Sequence, residues 1–366
     1  MNNSCLVSPF VVELAQRDCR QMIRLVRCLF ALSQNNAYQS LLQPSLAMTA
    51  QHQPKHNAVM MGYDFHLSPQ GPKLIEVNTN AGGLWFACLA HNATANSFPK
   101  ALAQQLINSF FNEYALFCQN SAVKPRCLVI LDDAPEQQFL YNEMLQFADL
   151  FSNAGIKTFI AQPEDLQLSD QGLFIEGQRV DLIYNRHCDF YLETQVMQTV
   201  RHAWLNGQVC LSPNPRAYGL LADKQRMILW SNTAELARLG VSPQQLRLLA
   251  KMIPKTQWLH TMSLDEVWAT RKAWVFKPDT GYASRGVYVG DKLTKGKLAQ
   301  LNPATTLMQQ RITPSVYKVD EQNQFKTDFR LFVYQGKILG ITARLYQGQV
   351  TNLRTEGGGF ARVKIV

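Results

Sequence analysis

Asp64, Glu76 and Asn78 carry the oxygen atoms from which a cation site could be built, and all three fall in one short stretch, Gly62-Tyr-Asp-Phe-His-Leu-Ser-Pro-Gln-Gly-Pro-Lys-Leu-Ile-Glu-Val-Asn78. Phe65 and Leu67 alternate with His66 and Ser68, Pro69-Gln70-Gly71-Pro72 has turn chemistry, and Leu74 to Asn78 resumes an extended run. The strand period of two puts Glu76 and Asn78 on one face, and a hairpin can bring Asp64 opposite them. Carboxylate and amide oxygens suit a hard cation. Magnesium takes one or two protein carboxylates and completes its shell with substrate phosphates and water, so the trio points to a nucleotide. Alone, Glu-x-Asn would also fit a solvated edge face.

Cationic residues that could meet phosphates come later in the chain. Trp274-Val-Phe-Lys277-Pro278 reads as a buried strand ending on Lys277, and the segment to Val289, with Gly281, Ser284, Arg285 and Gly286, reads as a hairpin with a small-residue tip. Glycines let backbone N–H groups approach and cradle phosphate oxygens, although an ordinary surface hairpin has the same composition. Lys224, in Leu-Ala-Asp-Lys-Gln-Arg at a helix start, supplies a second point charge or is simply solvated. Thr306-Leu-Met308-Gln309-Gln310-Arg311-Ile312 is an apolar strand turning polar, suited to backbone hydrogen bonds with an adenine edge and to Met308 against the ring; a plain edge strand looks the same. In Thr327 to Arg344, a hairpin about Gln335-Gly336, the period of two places Asp328, Arg330, Phe332 and Tyr334 on one face. Arg186 follows the predicted strand Val180 to Tyr184. Sheets of α/β type place ligands at such strand ends, so Arg186 is either a carboxylate binder or half of a structural ion pair.

Elements of three kinds must position these groups. Residues 1–118 read as mostly helical apart from the early hairpin. Ser8-Pro9 followed by Phe10, Leu14, Ile23, Leu25, Val26 and Phe30 predicts a capped amphipathic helix with Arg17, Arg20, Arg24 and Arg27 among its polar positions. Residues 125–218 alternate strand and helix: strands at Cys127 to Leu131, around Thr158 to Ala161, Gly172 to Glu176 and Val180 to Tyr184, with helices at Glu136 to Asn153 and Thr194 to Trp204. That alternation predicts a small α/β domain with a mainly parallel sheet. From residue 219 to 366 the pattern is helix, then long strands. The expected fold class is therefore mixed, α/β with α+β character.

The chain has 366 residues, of which 46% are hydrophobic and 17% charged, ordinary for a globular protein with sizeable cores. No long apolar run predicts a membrane span, and no basic leader precedes an apolar stretch, so neither a membrane partner nor a secretory signal is expected. Glu13 and Asp18 speak against a transit peptide. Eight cysteines show no Cys-x-x-Cys spacing, which fits free thiols in a reducing compartment and a cytoplasmic protein. Of the net charge of +9, the C-terminal block 219–366 holds 22 Lys and Arg against 10 Asp and Glu. Such a field attracts polyanions. No basic run interleaved with aromatics accompanies it, so ATP with an acidic small substrate is a more economical partner than nucleic acid.

Taken together, these segments resemble the ATP-grasp superfamily of carboxylate-amine ligases, especially the branch that adds glutamate to peptide-like acceptors. The resemblance rests on Asp223-Lys224; Lys277 with Gly281 to Gly286-Val287; Gln309-Gln310-Arg311-Ile312; Asp328-Phe-Arg330; Arg344; Asn352 with Gly357-Gly358; and Gly62-Tyr-Asp64 with Glu76-Val-Asn78. The metal strands, usually last, come first here. This looks like a circular permutation, as in eukaryotic glutathione synthetase. Arg311 stands where an aromatic is usual, and Thr79-Asn80-Ala81-Gly82 also departs from the pattern.

The resemblance implies an ATP-grasp fold, preceded by a small parallel-sheet domain, and ATP-dependent amide formation through an acyl phosphate. Asp64, Glu76 and Asn78 would then hold Mg²⁺. Lys224 and Lys277, with Ser284, Arg285, Gly286, Met308, Gln309, Gln310 and Ile312, would bind ATP, and Arg330 and Arg344 would stabilise the transferring phosphoryl group. Arg186, Asn80 and Asn352 become candidates for the small-molecule or peptide substrates, a carboxylate and an amine. A phosphotransferase on the same fold, or a non-catalytic nucleotide-binding regulatory module, is the alternative. Neither the substrates nor the oligomeric state can be read from the sequence.

Overall fold

The computed structural model describes residues 6–280, 286–321, 323–349, 351–353 and 355–366. A seven-stranded sheet organises the molecule. Its order is Val7–Leu14, Gly359–Ile365, Lys337–Tyr346, Gln324–Tyr334, Met61–Ser68 and Gly71–Asn78, with Ser315–Lys318 also paired to Gln324–Tyr334. The early hairpin thus lies in the same sheet as the late strands: Arg330 pairs with Asp64, and Phe332 with Gly62. The late hairpin turns at Gln335 and Gly336, both at positive φ, the geometry that two-residue hairpin turns require.

Strand alternation divides this sheet between two cores. Phe329, Leu331 and Val333 face a cluster that includes Met22, Leu25, Val26 and Leu29 of the helix Gln16–Ser33 and Leu249 and Met252 of the helix Pro243–Met252. Phe332 and Tyr334 face a second cluster with Phe86, Phe110, Phe147 and Tyr184.

The N-terminus corrects one expectation. Val7–Leu14, read as the start of a helix with Ser8-Pro9 as its cap, is a strand, paired in parallel with Gly359–Ile365. Its burial alternates at Val12 and Leu14, and Val11 and Val12 favour extended backbone. The helix starts only at Gln16, with Arg17, Arg20, Arg24 and Arg27 exposed along its outer face.

A four-stranded sheet, ordered Cys210–Ser212, Leu182–Asn185, Cys127–Leu131 and Lys157–Ala161, is parallel throughout. The helices Tyr141–Asn153 and Gln198–Leu205 accompany it. Gly172–Ile175 does not join this sheet; it forms a small antiparallel meander with Gln167–Ser169 and Gln178–Arg179. A third unit is antiparallel: Thr256–Trp258, Thr306–Gln310, Trp274–Pro278 and Tyr288–Val289. Its own core holds Trp274, Phe276, Leu293 and Met308. No helix among the described residues is long and apolar enough to cross a membrane, and no disulfide links the described cysteines.

Candidate active site

The three sheets meet around one cavity of about 790 Å³. The large sheet contributes Asp64, Glu76, Asn78, Asp328, Arg330 and Arg344, the small antiparallel sheet Lys277, Gln309 and Gln310, and the parallel sheet's loops Asp132 and Arg186. Lys224, Ile312, Asn80 and Asn352 line it as well. Thirteen of the seventeen site residues expected from the sequence therefore come together in space.

On the floor, cross-strand neighbours form a charge network. Asp64 opposes both Glu76 and Arg330, and Asp328 opposes Arg344, so their side chains emerge on one face of the sheet. Arg330 grips Asp64 with two parallel hydrogen bonds, Nε to Oδ1 at 2.7 Å and Nη2 to Oδ2 at 2.6 Å. Arg344 adds a contact to Asp64 Oδ2 at 2.9 Å and donates from Nε to Asp328 Oδ1 at 2.5 Å. Thr351 Oγ1 donates to the other Asp328 oxygen at 2.6 Å, and Arg330 Nη1 donates to the Gly82 carbonyl at 3.1 Å. Burial by itself would raise the Asp64 carboxyl; the Arg330 and Arg344 guanidiniums outweigh it and hold the group well below the usual carboxylate range. Asn78 Nδ2 donates to Asp64 Oδ2 at 3.2 Å and to Glu76 Oε1 at 3.3 Å. The three oxygen ligands expected from the sequence are thus clustered, but both Asp64 oxygens are engaged by guanidinium groups.

Over this floor stand the two lysines. Lys277, 8% exposed, donates to the Ile75 carbonyl at 3.3 Å, and Gln309 Nε2 donates to the same oxygen at 3.2 Å. One backbone carbonyl of the early hairpin therefore ties it to the small sheet. Burial lowers the Lys277 ammonium pKa, opposed by Glu76 and reinforced by Lys224. Lys224, in the turn after the π-helical segment Tyr218–Ala222, is lowered by burial as well, against the pull of Glu76, Asp223 and Asp279. Two ammonium groups partly stripped of water and facing a cavity are poised for an anion.

Four of the expected residues do not line the cavity or lie outside the described residues. Met308, expected against a nucleotide base, is fully buried in the core of the small sheet, and its side chain does not line the cavity. The strand period turns Gln309 inward and Met308 away, while Val275, Val287 and Val289 supply apolar wall. Ser284 and Arg285 lie outside the described residues. Gly286, at φ +72°, is not among the cavity-lining residues, although a side chain there would press on Pro278. Asn80 and Arg186 are engaged with the protein: Asn80 Nδ2 donates to the Arg186 carbonyl at 2.9 Å, and Arg186 Nη1 donates to Glu143 Oε1 at 2.9 Å and Tyr184 Oη at 3.2 Å.

Three further residues of the site escaped the sequence reading. Glu143, fully buried, accepts from the Gly83 and Trp85 amides at 2.9 Å as well as from Arg186, so it locks the loop after the early hairpin to the parallel sheet. His66 Nδ1 lies 2.8 Å from the Ile312 carbonyl. Asp132 ends the buried strand Cys127–Leu131 at the cavity wall, and burial raises its carboxyl to about 6 against the opposing pull of Arg186. Its place just past an apolar strand was the available signal.

No family model and no curated protein sequence matches the chain. Solved structures do. A glutathione synthetase-like effector (GSS30) from Globodera pallida, in its apo form, superposes with a TM-score of 0.61 at 12% identity, covering 98% of this chain and 90% of that one. A protein described as a putative gamma-glutamylcysteine synthetase from Methylobacillus flagellatus KT superposes with a TM-score of 0.53 at 10% identity, over 92% and 84% of the two chains. At such identities the likeness is one of fold: the chain shares the overall architecture of these two structures.

Proposed function

We propose that the protein is an ATP-dependent carbon–nitrogen ligase that joins a carboxylate to an amine through an acyl phosphate, releasing ADP and phosphate. The observation that carries this reading is the convergence of Lys224, Lys277, Glu76, Asn78, Arg330 and Arg344 on one cavity. The fold shared with a glutathione synthetase-like protein supports it.

In this reading the polyphosphate lies between the small sheet and the floor, with its oxygens on Lys277 and Lys224. Val275 and Val289 offer apolar surface, and Gln309 and Gln310 polar edges, for the base. Glu76 and Asn78 suit a magnesium ion, because Asn78 spends its Nδ2 on the two carboxylates and keeps its Oδ1 for a cation. Among the described residues no cluster of three or more His, Cys, Asp or Glu could hold a metal, so phosphate and water would have to supply most of the ion's ligands. When bound, Mg²⁺ neutralises charge on the phosphates. Asp64 serves the arginines first, and it reaches a metal only if that network loosens.

Arg330 and Arg344 face the point of phosphoryl transfer and stabilise the charge that develops there. Asp64 and Asp328 fix their guanidiniums, so little reorganisation is needed during the reaction. No enzyme nucleophile is required: the substrate carboxylate attacks the γ-phosphorus, ADP leaves, and the amine then displaces phosphate. The acceptor side is the wall bearing Asp132 and Arg186. We further propose that the chain is a circular permutation of the usual order, a reading supported by the early hairpin lying beside Gln324–Tyr334.

Mass spectrometry after incubation with ATP, Mg²⁺ and a pool of amino acids and small peptides tests the proposal. It expects ADP, phosphate and a product heavier than the acid by the amine less water. A phosphorylated acceptor instead would establish a phosphotransferase, and ATP binding without any product a regulatory module.

A further inference from the structure

A second cavity, of about 160 Å³, lies apart from the first, and the two share no lining residue. The two cavities flank the segment Tyr218–Ala222: Tyr218 and Ala222 line the large one, and Leu220 and Leu221 line the small one. The strand Met61–Ser68 divides in the same way, with Met61 and Tyr63 turned to the small cavity and Asp64 and His66 to the large.

Its lining is electrically lopsided. Arg216 and Lys55 contribute positive charge, Gln34, Gln39 and Asn57 contribute neutral polar groups, and no Asp or Glu among the described residues lines it. Arg216 is only 6% exposed, yet none of the ion pairs among the described residues includes it. Its guanidinium is oriented by neutral acceptors alone: Nη1 by the Gln43 side chain and the Ala50 carbonyl at 3.2 Å, Nη2 by Gln39 Oε1 at 3.1 Å. Burial lowers its pKa, with no acidic neighbour to oppose the shift. Buried charges in proteins are ordinarily paired, and a permanently charged guanidinium cannot escape by losing its proton. Arg186 and Arg344, the buried arginines of the large cavity's wall, each have a carboxylate within 3 Å. Arg216 is the exception.

We propose that this cavity is a binding site for a small oxyanion, a carboxylate- or phosphate-bearing molecule whose charge is met by Arg216 at the back and Lys55 at the mouth. Guanidinium binds both kinds of anion through paired N–H donors, and the neutral amides around it supply further hydrogen bonds without repelling the ligand. The volume admits phosphate or a short dicarboxylate with water, but not a nucleotide.

Calorimetric titration with inorganic phosphate, and separately with succinate, tests the site, and the stronger of the two identifies the source of the oxyanion. The large cavity also attracts phosphate, so the decisive comparison is between variants. Lys277→Ala should retain one phosphate or succinate per chain. Arg216→Gln should lose it, and Lys55→Ala, an exposed change that leaves packing untouched, should weaken it several-fold. Anion binding unaltered by both Arg216→Gln and Lys55→Ala, or no anion bound to Lys277→Ala, would overturn the proposal. Should Arg216→Gln fail to fold, Lys55→Ala decides alone: unchanged affinity overturns the site.

Discussion

Arg330 and Asp64 sit directly opposite each other on adjacent antiparallel strands and close a bidentate pair at 2.7 and 2.6 Å, although 266 positions of the chain separate them. Asp64 is 2% exposed and is also held by Arg344. Removing the carboxylate while keeping its shape leaves two guanidiniums facing each other without their shared counter-charge. Asp64→Asn should therefore destabilise the fold by about 3–5 kcal/mol, the usual cost of breaking a buried ion pair from one side. Urea unfolding at neutral pH measures it, and a loss under 1 kcal/mol would show that the arginines find other partners.

Lys277 and Arg330 are assigned different tasks, and kinetics can separate them. Lys277 meets phosphate in the ground state, so Lys277→Ala should weaken ATP binding together with turnover. Arg330 faces the transfer point; Arg330→Ala should lower kcat by on the order of 10² to 10³ with little change in ATP affinity. Direct nucleotide titration of both variants is the measurement. Equal losses of ATP affinity would make Arg330 a binding residue.

Glu76 and Asn78 are only half-buried and belong to neither of the large sheet's hydrophobic cores. Glu76→Gln and Asn78→Ala should thus abolish Mg²⁺-dependent ADP formation while leaving the unfolding midpoint nearly unchanged. Undiminished ADP formation in both would remove the hairpin from the metal site.

What could be read in advance follows the range of the interactions. The early hairpin was legible because its period of two, its turn residues and its oxygen ligands lie in one local stretch. Val7–Leu14 was misread because its partner, Gly359–Ile365, is at the other end of the chain; without that ladder, Ser8-Pro9 looks like a helix cap. Met308 lies on the strand the sequence predicts but faces away from the cavity, since Thr306 to Gln309 are buried without a break and carry no alternation to show which side opens to a cavity. Glu143 left no trace at all. In the sequence it is one more helical glutamate, and only the fold reveals that the Gly83 and Trp85 amides and Arg186 converge on it.

That convergence has its own consequence. Glu143→Gln keeps one acceptor oxygen but loses the charge opposite Arg186, so it should cost roughly 3 kcal/mol of stability. Because Glu143 touches the loop after the metal hairpin, hydrogen exchange at the Gly83 and Trp85 amides should accelerate in the variant. Unchanged protection at both amides would mean that the loop is held by packing alone.

Asp132 sets a pH dependence whose sign can be worked out. Burial raises its carboxyl to about 6 in the folded protein, above the unfolded value near 3.9. The folded state therefore binds this proton more tightly. The stability it contributes is fully present below about pH 4 and is lost as pH rises through 6. Asp132→Asn cannot ionise and avoids that loss. It should be more stable than the parent above pH 7, by up to about 3 kcal/mol for a shift of two pH units, and the advantage should shrink steadily between pH 6 and 4. Urea midpoints of the two proteins at pH 4.5 and 8 give the comparison. If the difference is the same at both, Asp132 titrates normally, and the wall it shares with Arg186 is more open to water than its 7% exposure implies.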